Sequence, residues 1–409
     1  MEKNKENNLL YILKSFGPSF ILTATYIGAG SVVTSSTAGA LFGYKLLWWI
    51  AILSAINGIW QYSINKFTIQ TGKPMMTAIR ERYPKLLAVI GGILGLITIV
   101  VFGIGNFMAS GMALNIIFPG LAIKTGGIIA TIFCILVIIL KGFYKKIEKG
   151  MMACIALMVV FFIVVYIIIG GSPAGETVSG LVPSMPAGSQ AVMLSLLGTT
   201  VSFGPMIYGS TFVREKGWQE KDIEKKGLLA DALAGPIAYF IIIGIILCVG
   251  AALFAGNPPT SGLAIANGLV EALNGSAAIR VIFGIAFLGA TISSLIGAPT
   301  WGVGIFYQGI GKESSMDTWV PKIIMIAAMV FASIMGLTVG GIPTQILMIA
   351  QWSGIITTPL LGVLAIMALR DKKLRESRKL TSIPTWIILI LLWALLMYVA
   401  INNLIGLIG

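Results

Sequence analysis

The sequence contains no histidine, and only 11% of its 409 residues are charged. A soluble domain usually carries about 25% charged residues, so this chain cannot cover a surface that faces water. The three cysteines, Cys134, Cys154 and Cys248, all lie within apolar segments, which argues against a disulfide framework or a metal-ligand cluster. Without histidine or carboxylates in the middle of its apolar segments, the chain cannot assemble an acid–base catalytic set. The composition therefore argues against a soluble protein and against an enzyme.

Long apolar runs fill most of the chain, since 57% of its residues are hydrophobic. A membrane-spanning helix needs about 20 mostly apolar residues. Runs of this kind predict eleven transmembrane helices, numbered here as spans 1 to 11: 17–43, 46–66, 87–117, 122–140, 150–169, 190–213, 228–254, 277–309, 322–339, 343–368 and 384–408. The connections are too short for a soluble domain, and the N-terminus lacks a signal-peptide cleavage site. We expect an all-α membrane protein with one transmembrane domain over residues 1–409.

Basic residues are unevenly distributed between the predicted loops. The N-terminus and every second loop hold 25 of the 28 lysines and arginines, and the opposite side holds only Lys45, Lys124 and Arg280. Positive residues are retained on the cytoplasmic side of a membrane. The pattern predicts a multi-pass protein of a prokaryotic inner (plasma) membrane, with a cytoplasmic N-terminus and an external C-terminus. The net charge of +13 thus reflects topology, and we expect membrane lipid rather than nucleic acid as a partner.

Two predicted spans are interrupted by glycine or proline near their middle. Span 1 contains Gly28-Ala29-Gly30, and span 6 contains Gly204-Pro205. A single Gly-x-Gly in a membrane helix usually serves close packing. Two breaks five spans apart instead point to a transporter with two related halves and a binding site at the midplane, and they favour a transporter over a channel. We expect a first repeat at about 14–169, a second at about 190–368 and an extra helix at 384–408.

Several segments resemble one family of membrane proteins along almost the whole chain. They are 17–48, 71–84 and 113–115, together with Asp231 and the pair Gln345 and Gln351. In these segments the sequence is similar to the Nramp divalent-metal transporters, which have the LeuT fold. The resemblance implies a LeuT-like 5+5 inverted repeat of eleven transmembrane helices with broken helices 1 and 6.

The sequence departs from the Nramp pattern where that family binds metal and moves protons. The family's Asp-Pro-Gly-Asn on helix 1 is replaced by Gly28-Ala29-Gly30-Ser31, its Met-Pro-His on helix 6 by Ser202-Phe203-Gly204, and the Asp and Glu of its helix 3 by Gly103 and Asn106. Among the metal-contacting side chains that the resemblance implies, only Gln351 is retained. We therefore predict that the family's usual metal coordination and its usual proton route are both missing.

The candidate substrate-binding residues are those that flank the two breaks, with Gln351. They are Gly28, Ala29, Gly30, Ser31, Ser202, Phe203, Gly204 and Gln351, and the weaker lining candidates are Tyr26, Gly103, Asn106 and Gln345. Glycines leave backbone N–H groups open to a ligand. A dication held without a compensating charge costs several kcal/mol, by order of magnitude, near the midplane.

This candidate site predicts a transporter of a small organic solute, such as an amino acid or another carboxylate, that works by alternating access. The alternative is a divalent metal cation transporter for a hydrated or weakly coordinated ion, such as magnesium or manganese. We expect no cofactor, no dedicated metal site and no obligate protein partner. Coupling is open: sodium at hydroxyls such as Thr200, Ser202 or Ser293 and uncoupled transport are both possible, and a scaffold protein without transport is a further alternative.

Overall fold

The computed structural model describes residues 22, 26–140, 143–275, 277–312, 318–371, 373–374 and 383–408. All regular secondary structure in these ranges is helical. The first part of predicted span 1, the predicted N-terminal boundary of the first repeat and most of the basic loop before span 11 lie outside the described residues. The proposed repeat boundaries stay a prediction.

The described helices correspond to the eleven predicted spans. Span 1 continues after its break as Ala29–Phe42, and spans 2 to 5 are Leu47–Thr71, Lys85–Ile117, Ile123–Ile139 and Phe143–Ile168. Span 6 consists of Gln190–Thr200 and Phe203–Glu215, and spans 7 to 9 are Gly227–Leu253, Ala277–Gly309 and Trp319–Thr338. Span 10 consists of Pro343–Gln351 and Thr358–Arg370, and span 11 is Ile383–Ile408. Within the described ranges, seven of these, spans 3 and 6 to 11, are long and apolar enough to cross a membrane, by length and composition.

Several helix boundaries differ from the prediction because hydropathy marks only the part of a helix that lies in hydrocarbon. Span 2 continues to Thr71, where Gly72 stops it in a left-handed conformation with φ of 69° and donates its N–H to the Thr68 carbonyl. Span 5 begins at Phe143 rather than near 150. The predicted loops also contain four short helices: Met75–Arg82, Ala174–Ser179, Glu220–Glu224 and Gly262–Ala272.

Glycines bring spans 1 and 7 into backbone contact. A Cβ on Gly39 would collide with the Leu247 carbonyl, and one on Gly250 would collide with the backbone of Ser36. Spans 2 and 6 pack on this pair, whereas span 8 lies along span 3, which also contacts spans 4 and 9. The first half of span 10, Pro343–Gln351, contacts spans 1, 3 and 6. The broken helices therefore meet between two packed groups of helices.

A small polar cluster lies at the end of the bundle that the charge distribution assigns to the cytoplasm. Arg82 pairs with Asp371 at 2.6 Å, and the Tyr83 hydroxyl donates to the same carboxylate at 3.2 Å. Burial raises the pKa of Asp371, but hydrogen bonds from the Lys373 and Leu374 N–H groups and from Arg82 outweigh burial, so this pKa lies below its ordinary value. Burial and the charge of Asp371 together raise the pKa of Tyr83 to about 12. The cluster joins the helix after span 2 to the end of span 10.

Candidate functional site

The predicted break in span 1 is present at Ile27 and Gly28. Gly28 has an extended backbone and precedes the helix Ala29–Phe42, and no side chain caps this N-terminus. The Ser31 hydroxyl donates to the Tyr26 carbonyl at 2.5 Å, so it bridges the break. Ala29 is fully buried and Ser31 is 1% exposed. The first turn after the break therefore has free backbone N–H donors, while its serine is occupied by the break itself.

The predicted break in span 6 lies at Val201 and Ser202. The helix Gln190–Thr200 ends there and Phe203–Glu215 begins there. The Ser202 hydroxyl is buried and has no hydrogen-bond partner. The amide of Asn57, on span 2, donates to the Thr200 carbonyl, and the Thr200 hydroxyl lies 2.8 Å from the Tyr239 hydroxyl of span 7. Spans 2 and 7 thus hold the end of the first half of span 6 in place.

Span 10 is also broken, which the sequence analysis did not predict. Its first half ends at Gln351, a short 3₁₀ turn covers Trp352–Ile355, and the second half begins at Thr358. The backbone of this turn touches span 6: a Cβ on Gly198 would collide with the Gln351 carbonyl, and one on Gly354 would collide with the Gly198 carbonyl. Gly354, within the turn, was the available signal in the sequence.

The three breaks meet around the side chain of Gln351. This side chain is 1% exposed, and neither its amide nitrogen nor its amide oxygen has a hydrogen-bond partner. A Cβ on Gly30 would collide with the same amide. The structure therefore brings Gln351 and the Gly30 turn together, next to the end of the first half of span 6 at Gly198. A buried amide without partners costs free energy, which marks this position as one where a ligand would satisfy it.

Two residues of the predicted site have partners other than those expected. The N–H of Gly204 donates to the Thr357 hydroxyl at 3.3 Å, and a Cβ on Gly204 would collide with the Trp301 ring. Gly204 was expected to present an open N–H, and that expectation is wrong because span 10 unwinds beside it. Phe203 is fully buried and meets Trp60 edge-on, with ring centroids 4.7 Å apart. This contact is ordinary aromatic packing.

Two of the weaker lining candidates border a pocket beside span 3, and a third faces away from Gln351. Gly103 and Asn106 line a small pocket between spans 3, 8 and 9, together with Ser294 and Pro299. Gln345 is exposed and does not share the face of Gln351, because six residues correspond to about 240° around a helix with 3.6 residues per turn. Gln345 therefore faces away from Gln351, whereas Asn106, whose amide nitrogen is buried without a partner, adjoins Gly105, which packs against Ala350.

Tyr26, the fourth weaker candidate, lies beside the break in span 1 and next to two polar residues of span 2. Its hydroxyl has no hydrogen-bond partner and sits next to the amides of Asn57 and Gln61. Asn57 and Gln61 were not among the site residues predicted from the sequence. Two amides four residues apart in an apolar span were the available signal, because polar residues inside membranes are costly and are retained for function.

The electrostatic character of the site comes from helix ends rather than from ionised side chains. Within the described part of the chain, no three His, Cys, Asp or Glu side chains lie close enough together to hold a metal ion. Two helix C-termini, at Thr200 and Gln351, reach the breaks and bring partial negative charge. Three helix N-termini, at Gly28, Ser202 and Thr357, bring partial positive charge to the same breaks. The site is neutral overall, with both signs of partial charge side by side.

Comparisons with known proteins agree with this architecture. The family model described as natural resistance-associated macrophage protein-like (Nramp) matches residues 19–406. A divalent metal cation transporter MntH of Brucella suis is 26% identical over 353 residues, which cover 83% of this chain and 76% of that protein.

Solved structures show the same fold. The manganese transporter of Eremococcus coleocola, in complex with an aromatic bis-isothiourea compound, superposes with a TM-score of 0.77 at 20% identity, covering 100% of this chain and 90% of that one. A nucleobase-cation-symport-1 family transporter with bromovinylhydantoin bound gives a TM-score of 0.59 at 16% identity, covering 90% of this chain and 80% of that one.

These structures confirm the predicted all-helical, LeuT-like architecture, and the predicted breaks in spans 1 and 6 are present in the described helices. The family match extends over almost the whole chain, including the three broken spans. The chain belongs to the Nramp family of membrane transporters.

Proposed function

We propose that this protein transports a divalent metal cation that keeps most of its water shell while it crosses the central site. The names of the relatives support a divalent cation more than the organic solute that the sequence analysis preferred. The observation that carries the proposal is the pair of buried oxygen acceptors without partners at the breaks, the amide oxygen of Gln351 and the hydroxyl oxygen of Ser202. Such acceptors suit the outward-pointing hydrogens of a cation's water shell.

The neutral character of the site supports a hydrated ion rather than a bare one. A bare dication needs oxygen ligands with compensating charge, and no carboxylate lies mid-span. Magnesium gives up its water reluctantly, and its bound waters donate strong hydrogen bonds. The unpartnered oxygens of Gln351 and Ser202 are acceptors for such waters. The neutral groups of the site cannot replace the water ligands of the ion, but they can hydrogen-bond to those waters while the ion keeps them.

A small zwitterionic or carboxylate solute is the second candidate, and one observation favours it. The helix N-terminus at Gly28 has no side-chain cap, so its N–H groups are available to a carboxylate. The C-terminal helix ends would then receive an ammonium group. This candidate is the organic solute of the sequence analysis, and the experiment below separates it from the hydrated cation.

The test is uptake by purified protein reconstituted in liposomes. We expect uptake of both magnesium and manganese with little discrimination and with half-saturation well above micromolar, because a retained water shell hides the difference between the two ions. Cobalt(III) hexaammine should inhibit the uptake of both metals. This ion does not exchange its ligands, has about the size of a hydrated dication and presents N–H donors on its surface. Gln351→Leu should abolish saturable uptake, whereas Thr68→Val, whose hydroxyl bonds its own helix, should not.

Other outcomes would contradict the proposal in distinct ways. Saturable manganese uptake at micromolar concentration, without inhibition by the hexaammine, would indicate direct coordination by the protein. Uptake of an amino acid or carboxylate with no uptake of either metal would favour the second candidate. Absence of any uptake in liposomes whose protein is folded and correctly inserted would leave the family's transport activity unsupported for this chain.

A further inference from the structure

The buried polar residues of span 2 fall into two groups with different hydrogen bonding. Its hydroxyl groups donate to backbone carbonyls of their own helix four residues earlier, as Ser54 does to Ile50 at 2.7 Å and Thr68 does to Ile64 at 3.1 Å. These hydroxyls therefore need no hydrogen-bond partner on a neighbouring helix. The amide of Asn57 instead reaches across to the Thr200 carbonyl at the break of span 6.

Gln61 has neither kind of partner. Its side chain is 1% exposed, and both its amide nitrogen and its amide oxygen lack a hydrogen bond. The Tyr26 hydroxyl, which lies beside it, also lacks one. The two groups lie close enough to attract each other, but neither completes a hydrogen bond of normal geometry, so their donors and acceptors are only partly used. Folding alone therefore gains little from a glutamine at this position.

Gln61 lies between the break in span 6 and the cytoplasmic end of span 2, on the way that a cargo would take into the cell. Asn57 marks the level of the break in span 6, and Gln61 lies one helical turn beyond it, about 6 Å further along the axis. Span 2 runs from Leu47 towards Thr71, and the Thr71 end is the one that the charge distribution assigns to the cytoplasm. Tyr26 precedes the break in span 1 at Gly28, so it lies on the same side.

We propose that Gln61 and Tyr26 form an inner subsite that binds the water shell of the cargo after it has left Gln351. This inference rests on the proposed function, since it assigns the subsite to a hydrated divalent cation. The amide oxygen of Gln61 and the hydroxyl oxygen of Tyr26 accept hydrogen bonds from waters of the ion. The next polar residue on the same face, Asn65, is also buried and continues the polar row towards the cytoplasm.

The test compares Gln61→Met, Gln61→Glu and the control Thr68→Val in liposomes and in thermal unfolding. Gln61→Met keeps the length of the side chain and removes its partly used polar groups, so we expect magnesium uptake at subsaturating concentration to fall about tenfold. The same variant should unfold at a temperature higher by about 2 °C. Gln61→Glu adds a charge beside the ion and should lower the half-saturation concentration for magnesium. Thr68→Val should match wild type in uptake.

The outcomes separate this inference from the proposed function. Uptake by Gln61→Met equal to that of wild type refutes the subsite and leaves the proposed function intact. A fall in both uptake and unfolding temperature for Gln61→Met also refutes it, because Gln61 would then be a structural residue. A wild type that takes up neither magnesium nor manganese refutes the proposed function, and the subsite for a hydrated cation falls with it.

Discussion

Replacing Gly30 by alanine tests whether the contact between span 1 and Gln351 serves transport. The new Cβ would collide with the amide of Gln351, which is the far end of a flexible side chain. Moving that side chain off its rotamer costs about 0.5–1.5 kcal/mol. Alanine in place of glycine within a helix gains about 0.5–1 kcal/mol. The two terms nearly cancel, so the free energy of unfolding should change by less than about 1 kcal/mol.

Transport by Gly30→Ala should nevertheless fall, because the displaced amide no longer faces the cargo. The loss of one hydrogen bond to a charged or polarised ligand is worth about 1.5–3 kcal/mol, which corresponds to roughly a 10- to 100-fold decrease in uptake at subsaturating concentration. We therefore expect Gly30→Ala to unfold at nearly the wild-type temperature but to show strongly reduced uptake. Gly30→Val should go further and abolish binding, because a larger side chain would occupy the space of the amide.

Gly198→Ala is the matched control because it touches the same residue from another direction. Its Cβ would collide with the Gln351 backbone, including the carbonyl carbon at 2.8 Å. A backbone cannot move as a side chain does, so overpacking should lower the free energy of unfolding by about 1–3 kcal/mol. Uptake in liposomes and thermal unfolding in detergent, measured on both variants, give the comparison. Wild-type uptake by Gly30→Ala, or equal destabilisation by both variants, would refute the reasoning.

Three further predictions concern topology, the polar cluster and helix packing. Because the basic residues are so unevenly distributed, a reporter fused to the C-terminus should show activity if it is of the kind that works only outside the cytoplasm. Activity of a reporter that works only in the cytoplasm would show that the predicted orientation is wrong. Asp371→Asn should cost less than about 1 kcal/mol of stability, since Arg82 and Asp371 form a partly exposed pair. Because the pKa of Asp371 is lowered in the folded protein, its contribution is present at neutral pH and disappears as the pH falls below the ordinary value of 3.8. Thermal unfolding between pH 6 and 3 should show a larger acid loss in wild type than in Asp371→Asn, since the other carboxyl groups titrate in both, and an equal acid loss would contradict it. Gly39→Leu should lower the unfolding temperature by several degrees, as its side chain would force spans 1 and 7 apart, and an unchanged unfolding temperature would show that this contact is not tight.

Local patterns in the sequence were enough to predict the described helices and two of the three breaks. Hydrophobicity summed over about 20 residues is a local property, and lipid leaves helices as the ordinary way to satisfy the backbone. Gly28 lies at one break, and Pro205, in the first turn after the other break, has no N–H to donate to Val201, so local chemistry also explains these breaks. Ser202 and Gln351 were assigned to the site from the sequence, and both have unpartnered polar atoms at the breaks.

The hydrogen-bond partners of the polar side chains, in contrast, depend on contacts between separate spans. Gly204 looked free in the sequence, but unwinding of span 10 brings the Thr357 hydroxyl to its N–H. Asn57 and Gln61 are similar amides four residues apart on one helix, yet Asn57 reaches the end of a broken helix and Gln61 does not. Hydrogen bonds depend on distances of a few tenths of an ångström between separate helices. Such distances follow from the packing of several spans together, and no pattern within one span contains them.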